Sequence, residues 1–137
     1  MNILKVLTKK REVGNVGENA AAKLLKKKKY KILKRNYVAL GHEIDIIACY
    51  GDELVFVEVK TRSEESLSQY EPRPASAVTP KKQADIIKTA SYFHSGYGGN
   101  FRMRFDVIEV ILKDKKPHTI NHLEAAFNKN TAYRRHK

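Results

Sequence analysis

The stretch that decides the fold runs from residue 43 to residue 62 and has the sequence EIDIIACYGDELVFVEVKTR. Two mainly apolar runs flank the dipeptide Gly51-Asp52, which is typical of a tight hairpin turn. The second run is apolar at every position from Leu54 to Val57. A strand that is apolar on both faces is normally covered on both faces, so this stretch predicts a hairpin in the middle of a sheet.

Two acidic residues, Asp45 and Glu58, interrupt the apolar runs of this hairpin. If the chain turns at Gly51-Asp52, the same antiparallel register places Asp45 directly opposite Glu58. Opposite side chains have Cβ atoms about 4.5–5.5 Å apart, and like charges at that distance repel. Two facing carboxylates in a half-buried sheet therefore need a proton, a cation or basic neighbours.

Strand alternation predicts that Glu43 and Lys60 lie on the same face as this acidic pair. Carboxylate oxygens suit Mg²⁺ (or Mn²⁺), with the carbonyl of Val59 as a further candidate ligand. Lys60 is then placed to hold an attacking water or to offset charge that develops on a phosphate. The alternative is structural, because acids at strand ends are usually just solvated and a Glu-x-Lys pattern often arises by chance.

Helices and further strands are predicted on both sides of the hairpin. Asn15 and Glu18 form a capping-box pattern, which predicts a helix that begins here and ends among the lysines at 26–29. Thr79-Pro80 predicts the start of a second helix. The other predicted segments are strands at 30–38 and 102–112, a long loop at 62–77 and a short apolar closing segment at 120–127. The order α-β-β-β-α-β plus a short C-terminal element predicts an α/β fold, a mixed sheet flanked by helices.

The length and the net charge of the chain limit the class of protein to which it can belong. The 137 residues predict one domain over 1–137, with a core at about 12–127 and a flexible basic tail at 128–137. The net charge of +12 favours a polyanionic partner, either nucleic acid or an anionic surface such as a ribosome or a membrane. No apolar run is long enough to span a membrane and no signal-peptide pattern occurs, so we expect a cytoplasmic location. The single cysteine, Cys49, excludes a cysteine-based zinc site.

Basic residues outside the hairpin are candidate contacts for phosphate groups. Lys81 and Lys82 lie at the start of the second helix, where cations are mildly unfavourable but backbone amides favour anions. Arg102 and Arg104 alternate along the fourth strand and predict a basic stripe. The alternative for this stripe is an ion pair with Asp106, which would be purely structural.

Two further residues have both a structural and a functional interpretation. Glu18 is either a helix cap or an additional metal ligand, if the first helix packs across the sheet. His42 precedes the acidic hairpin and is more typical of a turn residue than of a catalytic base.

A series of short motifs occurs in a fixed order along the chain: Gly14-x-x-Gly17-Glu18-x-x-Ala21, Arg35-Asn36, Glu43-Ile44-Asp45, Phe56-Val57-Glu58-Val59-Lys60-Thr61-Arg62, Ala77-Val78-Thr79-Pro80-Lys81-Lys82-Gln83 and Arg104-Phe105-Asp106-Val107. Together these motifs resemble the YraN-type family of uncharacterised bacterial proteins, over about residues 14–127. That family is similar to the PD-(D/E)xK nuclease superfamily and, more distantly, to archaeal Holliday junction resolvases.

The resemblance implies a restriction-endonuclease-like core and a metal-dependent nuclease that acts on DNA in preference to RNA, as a homodimer if it cuts junctions. It implies that Asp45, Glu58 and Lys60 are catalytic, and it adds Glu18 to the site. From the same motifs come the candidate nucleic-acid contacts, namely Lys82, Lys81, Arg62 and Gln83. A non-catalytic nucleic-acid-binding module with the same fold is the alternative.

Two departures from the family pattern concern the loops that would face a substrate. His42 stands where the family has glycine before Glu-Ile-Asp, and Tyr70-Glu71-Pro72 replaces a glycine near an aromatic residue. Neither departure involves Asp45, Glu58 or Lys60.

Overall fold

A five-stranded mixed sheet with helices on both faces forms the framework of the computed structural model, which describes residues 3–67 and 78–132. Its elements are α1 (Ile3–Lys27), β1 (Lys31–Ala39), β2 (His42–Tyr50), β3 (Glu53–Ser63), α2 (Glu64–Leu67), α3 (Pro80–Tyr97), β4 (Arg102–Lys113), β5 (Lys116–Phe127) and α4 (Lys129–Ala132). The spatial order of the strands is β1-β2-β3-β4-β5, with β3 and β4 parallel and the other neighbours antiparallel. The predicted α/β class is confirmed, and the architecture is consistent with a restriction-endonuclease-like fold.

The central hairpin has the predicted register over most of its length. Tyr50 pairs with Glu53, and the ladder continues to the pair Ile46–Val57. Gly51 has a φ of 60°, which a glycine adopts without steric cost in a tight turn. The hairpin places β3 at the centre of the sheet, between β2 and β4.

Side chains of β3 alternate between two apolar layers. Leu54 and Phe56 pack in a layer with α3 and α4, whereas Val55 and Val57 pack in a layer with α1. All four side chains are fully buried, as the uninterrupted apolar run predicted. The core therefore lies on both faces of β3, and the residues that continue β3 beyond Val57 emerge at the edge of both layers.

The first helix begins at Ile3, so the predicted capping box at Asn15 is wrong. Residues 3–13 contain neither proline nor glycine and are mostly good helix formers, so the helix continues through this region. Glu18 consequently lies within α1 rather than at its start, and it is only 6% exposed.

A close contact between α1 and β3 occurs at Gly17. A Cβ atom at this position would lie 2.9 Å from Thr61 Cβ and Cγ2, which is closer than carbon atoms can approach. We expect Gly17→Ala to lower the stability by about 1–2 kcal/mol, because overpacking outweighs the gain in helix propensity. Urea denaturation followed by circular dichroism measures this change.

Gly14 provides the matched control for this prediction, since a Cβ atom there would meet nothing within 4 Å. Gly14→Ala should gain up to about 1 kcal/mol from helix propensity alone. Equal effects of the two substitutions would contradict the assignment of Gly17 as a packing contact.

The closing segment is a full strand, β5, rather than the short element predicted at 120–127. It begins at Lys116 and pairs antiparallel with β4. Most of its side chains are at least partly exposed, and Ala125 has a φ of 51° next to an irregularity in the ladder. An exposed edge strand with such an irregularity has little apolar alternation, so its backbone pairing was not legible in the sequence.

Two segments predicted as irregular contain short helices. Residues 62–63 extend β3 and residues 64–67 form α2, while residues 68–77 of the predicted loop lie outside the described residues. At the C-terminal end, Asn128 Oδ1 accepts hydrogen bonds from the backbone of Asn130 and Thr131, and Ala132 is buried in the core. The core therefore extends past residue 127, and only 133–137 of the predicted tail lies outside the described residues.

Candidate metal and nucleic-acid site

The strands β2 and β3 separate at Asp45. The hydrogen-bonded ladder that starts at the Gly51-Asp52 turn does not extend to this residue. The last pair is Ile46–Val57, and the backbone N–H of Val59 instead donates a hydrogen bond of 2.8 Å to Asp45 Oδ2. Because N–H groups of a strand lie in the plane of the sheet, the Asp45 carboxylate lies between the two strands. The predicted ladder pair between Asp45 and Glu58 therefore does not form.

The alternation of β2 breaks at the same residue. Ile44 packs in the layer with α3, whereas Ile46 packs in the layer with α1. Strict alternation would put both isoleucines on one face. The prediction that Glu43, Asp45, Glu58 and Lys60 share one face is consequently wrong, because the break turns Asp45 into the gap between the strands.

One side of this gap opens into a cleft of about 840 Å³ next to α1. Its walls come from α1, β1, β2 and β3, and its acidic side chains are Glu18, Glu43 and Asp45. Glu18 of α1 thus lines the same cleft as Asp45, and its role as a metal ligand stays a prediction.

Glu58 and Lys60 lie beside α3. The Glu58 side chain is 8% exposed, with the Nζ atoms of Lys60 and Lys82 at 3.6 and 3.9 Å from its Oε2. Lys82 is positioned by the start of α3, which is at Thr79-Pro80 as predicted, and its backbone N–H donates to Thr79 Oγ1 at 3.1 Å. The structure thus brings Lys82 to the catalytic candidates and balances the charge of Glu58 with two lysines.

Among the titratable groups of the site, Asp45 has the pKa that its surroundings change most. Burial raises the pKa of Asp45 to about 7, with a further contribution from the negative charge of Glu58, against the lowering effect of the Val59 hydrogen bond. A buried carboxyl with a carboxylate neighbour is poised to bind either a proton or a cation.

Glu18 is held by two residues of β1 whose role the sequence did not predict. Arg35 Nε donates to Glu18 Oε1 at 2.9 Å, and Asn36 Nδ2 donates to Oε2 at 2.9 Å. Asn36 has a φ of 52°, a conformation that asparagine tolerates better than most residues. The only signal in the sequence was the polar Arg35-Asn36 pair within a strand. Each oxygen of Glu18 accepts one of these hydrogen bonds and keeps a second lone pair.

The two arginines of the predicted basic stripe lie at the opposite end of the sheet. Arg102 pairs in the ladder with Glu53, five residues before Glu58 along β3, which corresponds to roughly 17 Å. Arg102 is exposed and bonds to Asp52 at 3.1 Å, whereas Arg104 is mostly buried and bonds to Asp106 at 2.8 Å. The structure gives Arg104 the structural interpretation and brings neither arginine to the site.

Two other candidate contacts are occupied within the fold. Arg62 Nε lies 3.4 Å from Glu109 Oε2, and both side chains are largely buried. Gln83 is buried, with Nε2 donating to the Val78 carbonyl and Oε1 accepting from Thr131 Oγ1. Gln83 therefore ties α3 to α4 and does not face a ligand, contrary to the prediction.

The remaining candidates surround Asp85 on α3 or lie at the mouth of the cleft. Lys81 Nζ and His42 Nε2 are 3.4 and 3.6 Å from the Asp85 carboxylate, and Glu43 is exposed. His42 is the first residue of β2 and pairs with Ala39, so it is a strand residue with a partner on α3 rather than the predicted turn residue. Lys81 has a side chain that is 86% exposed and stays available to a ligand.

The donor set fits a hard divalent cation with few protein ligands. Within residues 3–67 and 78–132, no three histidine, cysteine or acidic side chains converge closely enough to enclose a metal. Mg²⁺, however, is commonly held by only one or two carboxylates together with water and substrate phosphate. Asp45 and Glu58 are suited to that role, because a cation would offset the burial of the Asp45 carboxyl and its repulsion with Glu58, which together raise the pKa of Asp45.

Comparison with known proteins places the chain in a family. Residues 17–110 match the model of "Uncharacterised protein family UPF0102". A UPF0102 protein of Caldanaerobacter subterraneus subsp. tengcongensis is 43% identical over 121 residues, covering 86% of this chain and 96% of that protein. One from Alkaliphilus oremlandii is 45% identical over 120 residues, covering 85% and 98%. The chain belongs to the UPF0102 family, which confirms the YraN-type resemblance.

The helices of the described residues include none that combines the length and the apolar character needed to cross a membrane.

Proposed function

We propose that this protein is a Mg²⁺- or Mn²⁺-dependent nuclease of the PD-(D/E)xK type that hydrolyses phosphodiester bonds of DNA, with branched or junction DNA as its substrate. The observation that carries the proposal is the gap between β2 and β3, where the half-buried Asp45 carboxyl accepts the Val59 N–H next to Glu58 and Lys60. The desolvation of a carboxylate in this position is offset in part by the hydrogen bond from Val59, and a bound cation would offset it further.

The residues of the gap divide into those that hold a metal and those that hold the substrate. Asp45 and Glu58 would bind the ion, with the Val59 carbonyl as a further ligand and Glu18 completing the metal shell directly or through water. When bound, the metal supplies a water of lowered pKa and stabilises charge on the phosphate. Lys60 holds the attacking water in line with the phosphate, and its ammonium group offsets negative charge as it develops.

The lysines at the start of α3 would place the DNA backbone over this gap. Lys82 lies 3.9 Å from Glu58, and Lys81 is exposed beside it. Phosphate contacts of this kind position a nucleic acid without reading its sequence. The cytoplasmic location stays a prediction. So does the homodimer, which cleavage of a junction would require.

A non-catalytic nucleic-acid-binding module is the second candidate, and one observation favours it. The charge of Glu58 is already balanced by Lys60 and Lys82, so the site does not strictly need a metal. The net charge of +12 would serve either function. Metal binding distinguishes the two candidates.

The first test is a thermal melt of the metal-free protein with and without Mg²⁺ or Mn²⁺. A ligand at 100 times its Kd stabilises the folded state by about 2.7 kcal/mol, which raises the Tm by roughly 5–10 °C in a domain of this size. We expect such a shift for the wild type and none for Asp45→Asn. An identical shift in both proteins would place the metal elsewhere.

The second test is a cleavage panel of single strands, duplexes, flaps, four-way junctions and a structured RNA. Wild type should cut branched DNA in the presence of the metal, and Lys60→Ala should not. Tight structure-selective binding without cleavage would instead support the binding module.

A further inference from the structure

The exposed face of α3 leads away from the proposed site and carries two kinds of side chain. Near its start lie Lys81 and Lys82, and one to two turns later comes Lys88, which is also exposed. Tyr92 follows four residues after Lys88, so their side chains are neighbours on one helix face. The one acidic residue among these positions, Asp85, is already paired with Lys81 and His42.

This face ends in a small aromatic groove at the C-terminal part of α3. The groove has a volume of about 380 Å³ and is lined by Tyr37, Tyr92, Phe93, Ser95, Gly96 and Tyr97. Tyr92 and Tyr97 are 58% and 41% exposed and are among the large hydrophobic side chains that the described part of the structure leaves at the surface.

The floor of the groove is rigid because its rings pack on one another and on the core. Phe93 contacts Tyr37 edge-on at 5.2 Å and stacks with Tyr97 at 5.5 Å. Phe93 also contacts Phe56, a fully buried residue of β3, at 6.2 Å. Tyr97 is therefore held in place by Phe93 and loses little conformational entropy when a flat ligand stacks on it, and Tyr92, which is 58% exposed, lines the same groove.

We propose that this groove, with Lys88, binds unpaired nucleotides of single-stranded DNA that extends from the nuclease site. Lysines that contact phosphates and aromatic rings that stack on bases are the two elements of single-strand binding. Lys82 and Tyr92 are separated by ten residues of helix, or about 15 Å, a span that a few nucleotides cover. A continuous duplex keeps its bases stacked inside the helix and cannot offer them to a groove of this kind.

The proposal rests on the proposed function for the identity of the ligand, and it deepens that function by naming an unpaired strand as part of the substrate. Binding can be measured without cleavage, so the two proposals fail separately. A protein that cuts no DNA but stacks unpaired bases would keep this inference and lose the nuclease.

The experiment compares two fluorescent 12-nucleotide strands, oligothymidylate and an abasic strand with the same phosphates, by fluorescence anisotropy in EDTA. We expect the wild type to bind oligothymidylate about tenfold more tightly than the abasic strand, since base stacking on aromatic rings is of that order. Tyr92→Ala should remove most of this difference, and Tyr92→Phe should preserve it. Lys88→Ala should weaken binding of both strands alike and reduce its salt dependence.

Tyr50→Ala is the matched control, because Tyr50 is 43% exposed but lies on the opposite face of the sheet from α3, where its ring stacks on Tyr30 of the layer with α1. Its effect on the ratio of the two affinities should be small. Equal binding of the two strands by the wild type would overturn the proposal, as would unchanged discrimination in Tyr92→Ala. A change in sedimentation of Tyr92→Ala without a change in DNA binding would also overturn it, and would assign the groove to contact between copies of the chain.

Discussion

Asp45→Asn is expected to reduce metal-dependent cleavage by at least about a hundredfold, because a catalytic metal supplies several kcal/mol of transition-state stabilisation and 1.4 kcal/mol is tenfold in rate. The amide can still accept the hydrogen bond from Val59, so the local backbone should be unchanged. Cleavage of a labelled junction or flap, measured under single-turnover conditions with Mg²⁺, gives the rate.

The same substitution should leave the metal-free protein at least as stable as the wild type at pH 8. Asparagine carries no charge, so it removes both the burial of an ionised group and its repulsion with Glu58. Lost activity combined with retained or raised Tm is the signature of a functional carboxylate rather than a structural one. A large fall in Tm would contradict our interpretation of Asp45. Asp52→Asn, in the exposed turn at the other end of β2, should alter neither quantity.

The second large effect is expected at Asp106, the centre of a buried polar network that the proposed chemistry does not use. Asp106 Oδ2 accepts hydrogen bonds from Arg104 Nη2 at 2.8 Å and from His122 Nε2 at 2.7 Å. Asp106 Oδ1 accepts one from the backbone N–H of Ala125. Lys28 Nζ donates to the remaining ring nitrogen of His122, at 2.7 Å, so that nitrogen carries no proton. Tyr30 contacts the same Arg104 through its hydroxyl and its ring.

Asp106→Asn should destabilise the protein by about 3 kcal/mol, because it removes the fully buried one of the two carboxylates that pair closely with Arg104 and leaves only Glu53. For a domain of this size the corresponding fall in Tm is roughly 10 °C. Urea denaturation at pH 7 measures the difference. Asp52→Asn removes an exposed partner of another arginine, Arg102, and should have no measurable effect on stability. Similar losses of stability in Asp106→Asn and Asp52→Asn would contradict our interpretation that burial makes the Asp106 ion pair important.

The pH dependence of stability provides an independent check on Asp106. Burial opposes its ionisation, but the hydrogen bonds from His122, Arg104 and Ala125 outweigh that effect and lower its pKa. Because the folded pKa lies below the unfolded value of about 4, the contribution of Asp106 is complete above that value and is lost as the pH falls through the folded pKa. The stability difference between wild type and Asp106→Asn should therefore shrink below about pH 4. A difference that stays constant down to pH 2.5 would contradict the role of its charge.

The sequence predicted correctly those elements that have strong local signals. It missed features that depend on the neighbouring sequence or on pairing with another strand. The doubly apolar run of β3 and the Gly51-Asp52 turn predicted a central hairpin, and Thr79-Pro80 predicted the start of α3. The start of α1 was missed because helix propensity upstream outweighed the cap at Asn15. β5 was missed because its strand character comes from the backbone of β4 and not from its own alternation.

The amino-acid sequence by itself determined which residues belong together in a candidate site, because the spacing from the turn brings Asp45 near Glu58 and Lys60. Only the tertiary structure decided how they are arranged. A break in β2 draws Asp45 between the strands, and α3 brings Lys82 to Glu58. Strand alternation describes a regular ladder, and the ladder ends at Ile46–Val57, so no rule of period 2 could predict the geometry beyond it.

The fates of Glu18 and of the basic residues illustrate the same limit. Their residue types were visible in the sequence, but their partners come from distant segments: Arg35 and Asn36 for Glu18, and Asp106 for Arg104. A charged side chain that is itself buried beside its partner, as Arg104 is, serves the fold, whereas one that stays exposed, as Lys81 and Lys82 do, is available to a ligand. That distinction depends on long-range packing, which is why only the tertiary structure separated Lys81 and Lys82 from Arg104 as candidate phosphate contacts.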